Sequence, residues 1–192
     1  MKKNCRGTSF KSYLLFIFIL LLMIGSLISY SYAREEETVK WGVSVFGGTG
    51  EATRNNPHIS VYGFLPRIDL ALHTNWDLEF EGNYSNWNIS AEKDLYFLGV
   101  NGNILFKPIR RNWGSLFLLA GGGLGYDNAS KTRVSEIGDS HCGGILQAGA
   151  GICYNLGKGW ALRGEYRFYH ISDPFRKDLG LNTHVFLLGI SF

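Results

Sequence analysis

Strict alternation of apolar and polar residues along one stretch is the feature that most limits the folds open to this chain. One set of alternating positions is apolar or small, namely Trp76, Leu78, Phe80, Gly82 and Tyr84. The intervening positions are polar, namely Asp77, Glu79, Glu81, Asn83 and Ser85. Successive side chains of a β-strand point to opposite sides, so this stretch predicts a strand with one apolar and one polar wall.

Similar alternation recurs along the chain and predicts eight strands. The segments are Lys40–Gly47, His58–Leu65, Trp76–Asn86, Asp94–Phe106, Ser115–Tyr126, Gly143–Leu156, Trp160–Ser172 and Asn182–Phe192. Several match the roughly 9–11 residues of a tilted membrane strand, and aromatic residues cluster near the strand ends, as in interface girdles. The pattern predicts an all-β fold, an eight-stranded antiparallel transmembrane β-barrel over residues 34–192.

The first 33 residues predict a secretory signal peptide. Basic residues lie within positions 2–11, Leu14–Ile28 is almost wholly apolar, and Ser31-Tyr32-Ala33 ends on the small residue that cleavage requires. A membrane anchor is the alternative, because Ser12–Ala33 is 22 residues without charge, enough to span a bilayer. The cleavage motif favours the signal peptide.

Removing this segment changes the charge of the chain. It carries four of the 19 basic residues and none of the 16 acidic ones, so 15 basic and 16 acidic residues remain, a net charge of −1. The basic pI of about 8.7 therefore belongs to the leader. No basic patch remains that would indicate nucleic acid binding.

The chain ends on an alternating strand that closes with Phe192. Such endings resemble the terminal signal of outer-membrane barrels. Together with the signal peptide, this ending predicts the outer membrane of a Gram-negative bacterium, and it favours a membrane barrel over a lipocalin-like soluble carrier. The apolar wall would then face lipid and the polar wall the lumen. The predicted lumen charges, which can pair, are Glu79, Glu81, Arg163, Glu165 and Arg167.

Side chains just fill the interior of an eight-stranded barrel, so the predicted protein is not a pore, and its function belongs to its rim or outer wall. An even number of strands places both termini on the periplasmic side. The connections at about residues 48–57, 87–93, 127–142 and 173–181 are then expected outside the cell.

The cysteines that follow the leader, Cys142 and Cys153, are not expected to pair. About 11 residues of extended strand separate them by roughly 36 Å, and a disulfide needs Cα atoms within about 7 Å. The sequence holds no Cys/His cluster with zinc spacing, and neither a metal nor a cofactor is expected.

The segment Trp160–Ser172 places two polar residues at one end of its apolar wall. His170 and Ser172 share the face of Leu162, Tyr166 and other apolar residues. Polar groups that face lipid are costly and often functional. A His beside a Ser is the minimum for an activated hydroxyl nucleophile, because the imidazole accepts the proton as the oxygen attacks. An interfacial polar collar without chemistry is the alternative.

The last predicted strand runs back beside this one. If Ser172 pairs with Asn182, His170 lies opposite His184. Asn182 would then share the outer face and could orient the imidazole of His170.

The same His-x-Ser tripeptide occurs at His58-Ile59-Ser60. The apolar set of that strand includes Ile59, Val61 and Leu65, so His58 and Ser60 are expected to face the lumen or the rim. No catalytic role is expected for them.

The run Glu165-Tyr166-Arg167-Phe168-Tyr169-His170-Ile171-Ser172, followed by Gly180-Leu181-Asn182 and an alternating strand, resembles the C-terminal hairpin of the lipid A 3-O-deacylase (PagL) family. The resemblance is specific over about residues 143–192. Members of that family are eight-stranded outer-membrane barrels that hydrolyse the ester-linked 3-O acyl chain of lipid A. The resemblance implies Ser172 as nucleophile, His170 as general base and lipid A (LPS) of the outer leaflet as substrate, without a cofactor.

The third catalytic residue departs from that family. The family often has a Glu after the Gly-Ile of the second strand, where this chain has Asn182 after Gly180-Leu181. An amide can orient an imidazole but cannot stabilise imidazolium by charge. Asp173 and Asp178 are the alternatives for this role.

Two basic residues of the last connection, Arg176 and Lys177, could bind lipid A phosphates, with solvated loop charges as the alternative. Three functions stay open: lipid A deacylase, acyl transfer to another lipid, and a non-enzymatic structural or adhesive barrel. The sequence leaves open which acyl chain is removed, whether activity is latent in the membrane, and the oligomeric state, a homodimer included.

Overall fold

The computed structural model describes residues 39–52, 58–89, 94–127, 142–172 and 180–192. They form β1 (Val39–Ala52), β2 (His58–His73), β3 (Trp76–Ile89), β4 (Leu95–Arg111), β5 (Gly114–Asp127), β6 (Cys142–Gly157), β7 (Trp160–Ser172) and β8 (Gly180–Ser191). Each strand pairs antiparallel with the next, and β8 pairs with β1. The predicted eight-stranded antiparallel barrel is confirmed. The predicted signal peptide, residues 1–33, lies outside the described residues.

The two ends of the barrel differ in their connections. At the turn end, two-residue turns join β2 to β3, β4 to β5 and β6 to β7. The last of these has positive φ at Lys158 (55°) and Gly159 (83°), as a type I′ hairpin turn requires. The loop end is where β1, β3, β5 and β7 end, and the residues that follow them lie outside the described ranges. Where the structure describes the chain, no helix is long and apolar enough to cross a membrane.

Three strands extend five residues or more beyond their predicted ends, and one of them is β4, which continues past Phe106 to Arg111. β1 continues past Gly47 to Ala52, and β2 continues past Leu65 to His73. Pro66 lies within β2, where it pairs with β1 but has no partner in the β2–β3 register. Because proline has no N–H to donate, it interrupts one ladder without ending the strand.

The outer wall is apolar over most of its height. Its most exposed apolar residues include Val45, Leu98, Val100, Leu146 and Phe186. At the turn end, the Trp76 and Phe106 rings lie 4.7 Å apart and the Trp160 and Phe192 rings 5.2 Å apart, as in the aromatic girdle of a membrane barrel. An outer wall of this kind excludes the soluble lipocalin-like alternative.

The predicted lumen charges point inward and pair with one another, as expected. Both terminal nitrogens of Arg167 lie 2.7 Å from the carboxylate oxygens of Glu81. Arg163 donates to Glu79 and, through Nε at 2.9 Å, to Glu165. Two bidentate-capable cations therefore bridge three buried carboxylates across the barrel.

Four residues outside the sequence prediction extend this network. Arg67 and Asp69 join it from the part of β2 beyond its predicted end. Asn103 donates to Glu79 and Glu81 at 2.9 Å, and Gln147 donates to Asn103 at 2.5 Å. The charged layer thus spans β2, β3, β4, β6 and β7.

The expectation of a polar lumen is wrong at the loop end, where the interior is apolar. The cluster there consists of Phe46, Ile59, Val61, Leu65, Trp87, Ile89, Leu95, Phe97, Ile145, Tyr169, Ile171, Leu181, Val185 and Leu187. Because this cluster takes in Ile59, Val61 and Leu65, the alternation of β2 turns His58 and Ser60 outward. Of the expectation that those two face the lumen or the rim, the lumen part is therefore wrong, because both lie on the outer wall at the loop end.

The lumen network generates a stability prediction. Arg167→Met removes the cation paired with buried Glu81 and leaves Glu165 with Arg163 alone, and breaking a buried ion pair typically costs about 3–5 kcal/mol. We expect a lower free energy of unfolding in urea, measured by tryptophan fluorescence of the barrel in lipid vesicles. Arg111→Gln, which removes a cation from the exposed end of β4, is the control. Equal stability of the two variants would contradict a structural role for the network.

Candidate active site

The alternation of β7 sets which of its residues face the membrane. Arg163, Arg167 and Tyr169 are buried inside the barrel, as predicted. His170 and Ser172 lie half-buried on the outer wall at the loop end. The sequence assigned both residues to this face.

The β7–β8 register differs from the expected one by two residues. His170 pairs with Asn182, and Ser172 pairs with Gly180, whereas the prediction paired Ser172 with Asn182 and His170 with His184. A shift of two residues leaves every side chain on its own face, so alternation cannot detect it. The strand also begins two residues earlier than predicted, at Gly180.

A hydrogen bond joins His170 to Asn182 in spite of this shift. The Nδ1 atom of His170 lies 2.7 Å from the Oδ1 atom of Asn182. Because a carbonyl oxygen only accepts, Nδ1 carries the proton in this contact, and a neutral ring then has its lone pair at Nε2. The amide therefore selects the tautomer that can act as a base at Nε2.

The rest of the imidazole lies over Gly180. A Cβ atom built on Gly180 would lie 2.5 Å from Cε1 and 3.1 Å from Nε2 of His170. Glycine is thus the residue that leaves room for the ring, and it is also the cross-strand partner of Ser172. This places the Nε2 edge of the ring on the side of the serine.

Ser172 lies between two glycines. Its partner in β6 is Gly144, and its partner in β8 is Gly180. No hydrogen bond joins Ser172 to His170 within the described residues, and such contacts often tighten only when substrate binds. Ser172 is two positions from His170 on the same face of β7, and its partners in both neighbouring strands have no side chains.

A second polar pair lies one step nearer the turn end on the same wall. The hydroxyl of Tyr166 lies 2.5 Å from Nδ1 of His184, and the two rings stack at 17°. Phe168 packs against the His184 ring with centroids 5.4 Å apart. Aromatic packing therefore satisfies His184 on the lipid-facing wall without bringing it to His170.

Closure of the barrel extends the polar surface onto β1 and β2. Asn182 pairs with Glu51 on its other side, and Glu51 pairs in turn with His58. His170, Asn182, Glu51 and His58 therefore form one outward-facing row across four strands. On the other side of β7, the partner of His170 is Leu146, so the polar surface stops there.

Glu51 was absent from the predicted site because it lies beyond Gly47, the predicted end of β1. The glycines at 48 and 50 concealed a continuing alternation in which Thr49 and Glu51 follow Val45 on the outer face. A Cβ atom on Gly48 would lie 2.0 Å from the backbone oxygen of His184, and one on Gly50 would lie 1.9 Å from that of Asn182. These glycines are therefore interior strand residues rather than a loop.

Several predicted positions lie outside the described residues, namely Asp173, Arg176, Lys177 and Asp178. Among the residues that are described, no group of three or more His, Cys, Asp or Glu side chains could hold a metal ion. Cys153 is a free thiol that packs inside the barrel against a cluster near Phe117.

The closed barrel, the apolar outer wall and the charged interior define an outer-membrane β-barrel. The sequence matches the outer membrane protein beta-barrel domain family over residues 19–192. The chain belongs to this family. No curated protein matches the sequence.

Solved structures of other outer-membrane proteins have a similar architecture, and PagL and Neisserial surface protein A are two of them. The outer membrane enzyme PagL is similar with a TM-score of 0.54 and 14% identity, over 76% of this chain and 97% of PagL. Neisserial surface protein A (NspA) is similar with a TM-score of 0.56 and 10% identity, over 81% of this chain and 96% of NspA. At these identities the similarity shows the fold alone.

The contact over Gly180 makes a structural prediction. In Gly180→Ala, the added methyl group displaces the His170 ring and breaks its hydrogen bond to Asn182. A crystal structure of the variant would show the Nδ1–Oδ1 distance beyond hydrogen-bonding range. Gly164→Ala on the same face of β7 is the control, because its Cβ atom would approach no atom closer than 3.7 Å. An unmoved ring in Gly180→Ala would contradict this account.

Proposed function

We propose that this protein is a lipid A deacylase, a carboxylic ester hydrolase that removes the ester-linked 3-O acyl chain of lipid A. The observation that carries the proposal is the hydrogen bond from His170 to Asn182 at 2.7 Å, beside a serine flanked by two glycines. This arrangement lies on the lipid-facing wall of the barrel. It therefore offers a base and a hydroxyl to a substrate that is itself a lipid.

The first chemical step uses the tautomer that Asn182 selects. Nε2 of His170 accepts the Ser172 proton while Oγ attacks the ester carbonyl carbon. The carbonyl π electrons move onto oxygen to give a tetrahedral intermediate. Its collapse breaks the bond to the sugar 3-oxygen, which takes the proton from Nε2 and leaves as an alcohol.

The second step regenerates the enzyme. Nε2 accepts a proton from water, whose oxygen attacks the acyl carbon on Ser172. Collapse returns the proton to the Ser172 oxygen and releases the fatty acid. Water is the only co-reactant, so this mechanism requires no cofactor.

The surroundings of the site favour a membrane lipid as substrate. The neighbours of His170 and Phe168 in β6 are Leu146 and Ala148, and Leu146 is 65% exposed. An acyl chain can lie along this wall while its ester group reaches Ser172. With the termini in the periplasm, the loop end faces the outer leaflet, where lipid A resides.

The choice of the 3-O chain rests on the resemblance of residues 165–172 and 180–192 to the PagL family. Arg176 and Lys177 are candidates for the lipid A phosphates. Acyl transfer to a second lipid would use the same acyl-enzyme, with an alcohol in place of water. The site would then form a new ester instead of a free acid.

A structural or adhesive barrel is the alternative from another class. The neutral amide at Asn182 favours it, because the PagL pattern often has a carboxylate at this position. Neisserial surface protein A has a similar fold, and its name refers to a surface location and not to an enzymatic activity. The following experiment separates the two functions.

We expect wild-type protein expressed in a Gram-negative host to remove one 3-hydroxyacyl chain from lipid A. Ser172→Ala and His170→Ala should each lower this activity at least about 100-fold, because general acid–base catalysis alone contributes about 10²–10⁴-fold. Mass spectrometry of extracted lipid A measures the loss of the chain and its position. A transferase would instead yield an acylated second lipid.

Ser60→Ala is the matched control, since it removes the serine of the other outward-facing His-x-Ser tripeptide. It should retain wild-type activity. Loss of activity in Ser60→Ala but not in Ser172→Ala would move the nucleophile to β2. Unchanged lipid A from a folded barrel, both in membranes and in detergent, would favour the structural alternative.

A further inference from the structure

Barrel closure places an acidic side chain, that of Glu51, beside the site, although Glu51 lies far from the site in the sequence. Glu51 and Asn182 are 131 positions apart in the chain, yet they are direct partners in the β1–β8 register. Both side chains face outward, and Glu51 is exposed. Directly opposed residues on one face have Cβ atoms about 4.5–5.5 Å apart. Their side chains are therefore within reach of each other.

The side-chain amide of Asn182 has a second group, the Nδ2 amino group, that can also form hydrogen bonds. Its Oδ1 accepts from His170, which leaves two N–H donors on Nδ2. Glu51 lies on the side of Asn182 opposite His170, because the register runs from β7 through β8 to β1. A carboxylate there is an acceptor on the donor side of the amide.

We propose that Glu51 is the acidic group of this site and acts on His170 through Asn182. In this arrangement Nδ1 of His170 donates to Oδ1 of Asn182, and Nδ2 of Asn182 donates to the Glu51 carboxylate. Within the described residues Glu51 has no hydrogen bond to Asn182, so side-chain rotation makes the contact. Glu51 is a positioning residue, and this inference rests on the proposed function.

This relay of hydrogen bonds from His170 through Asn182 to Glu51 supplies the negative charge that an amide alone lacks. A carboxylate orders the Asn182 amide so that Oδ1 points to His170, and its charge favours the imidazolium that forms when Ser172 attacks. Neighbouring strands lie about 4.8 Å apart, so two spacings separate Glu51 from His170. At a wall bordered by lipid, the field of a charge is screened less than in water.

The other neighbours of the site do not supply an acid. Among the described residues, the outward positions of β6 nearest His170 are Gly144, Leu146 and Ala148. The partner of Glu51 on its far side is His58. Asp173 and Asp178, the alternatives from the sequence, lie outside the described residues and enter the test as rivals.

The test is a double-mutant cycle on the full-length barrel in detergent micelles. Glu51→Gln keeps the size of the side chain but removes its charge. We expect kcat for lipid A deacylation to fall about tenfold with KM nearly unchanged, as for an interaction made in the transition state. Asn182→Glu puts a carboxylate directly on His170, and in that background Glu51→Gln should no longer lower kcat.

A second readout does not depend on lipid A. The rate at which a fluorophosphonate labels Ser172 reports the reactivity of the hydroxyl, and it should fall about tenfold in Glu51→Gln. His58→Gln is the control, because it removes the other partner of Glu51, and it should label at the wild-type rate. Migration of unheated samples on SDS gels checks that each barrel is folded.

The outcomes separate this inference from the proposed function. Wild-type kcat and labelling in Glu51→Gln would overturn the relay, and so would an equal loss in the Asn182→Glu background. Loss in Asp173→Asn or Asp178→Asn alone would assign the role to the connection. Labelling of Ser172 without lipid A deacylation would reject lipid A as the substrate. In that case the labelling rates of wild type and Glu51→Gln would still test whether Glu51 acts on His170. No labelling and no deacylation would reject both.

Discussion

The pairing of β1 with β8 is the constraint on which the rest of the molecule depends. A sheet in lipid cannot leave backbone N–H and C=O groups unpaired at an edge, so a membrane sheet must close. Here closure reaches the last residue, since Trp41 and Phe192 exchange two backbone hydrogen bonds of 2.9 and 2.8 Å. The same seam fixes which strands are neighbours on the outer wall. The candidate site lies across this seam.

The interior holds the seam in register by two different means. Near the middle, Arg163 and Arg167 bridge buried carboxylates from β3 and from their own strand. Toward the loop end, apolar side chains from seven strands, all except β5, pack together. A one-residue slip would turn charged groups to lipid and apolar groups to the charged layer. The pairing and packing of inward-facing residues therefore fix the register in which outward-facing residues such as His170 and Asn182 meet.

Alternation was enough to predict the fold and the faces of β7, because the charges and the apolar residues of that strand fall on opposite sides. It failed where the alternation is weak. Pro66 and the glycines of β1 concealed the ends of two strands, and with them Arg67 and Glu51. The predicted β7–β8 register was wrong by two residues, because a two-residue shift leaves every side chain on the same face and alternation cannot detect it. Because the loop-end interior is apolar, His58 faces outward instead of into the lumen. Only the packed structure shows whether a strand end enters the apolar layer or the charged layer.

Chemistry at a His-x-Ser tripeptide depends on neighbours from other strands, and this barrel contains the comparison. Both copies face outward at the loop end. The cross-strand partners of Ser60 are Thr49 and Asn88, both of which carry side chains, whereas the partners of Ser172 are two glycines. The ring of His58 lies opposite a carboxylate with no amide between them, while that of His170 is held by Asn182. A bulky ester can therefore approach the β7 serine more closely than the β2 serine. The tripeptide itself is identical in type, so the difference between the two sites lies in residues that the barrel brings to them.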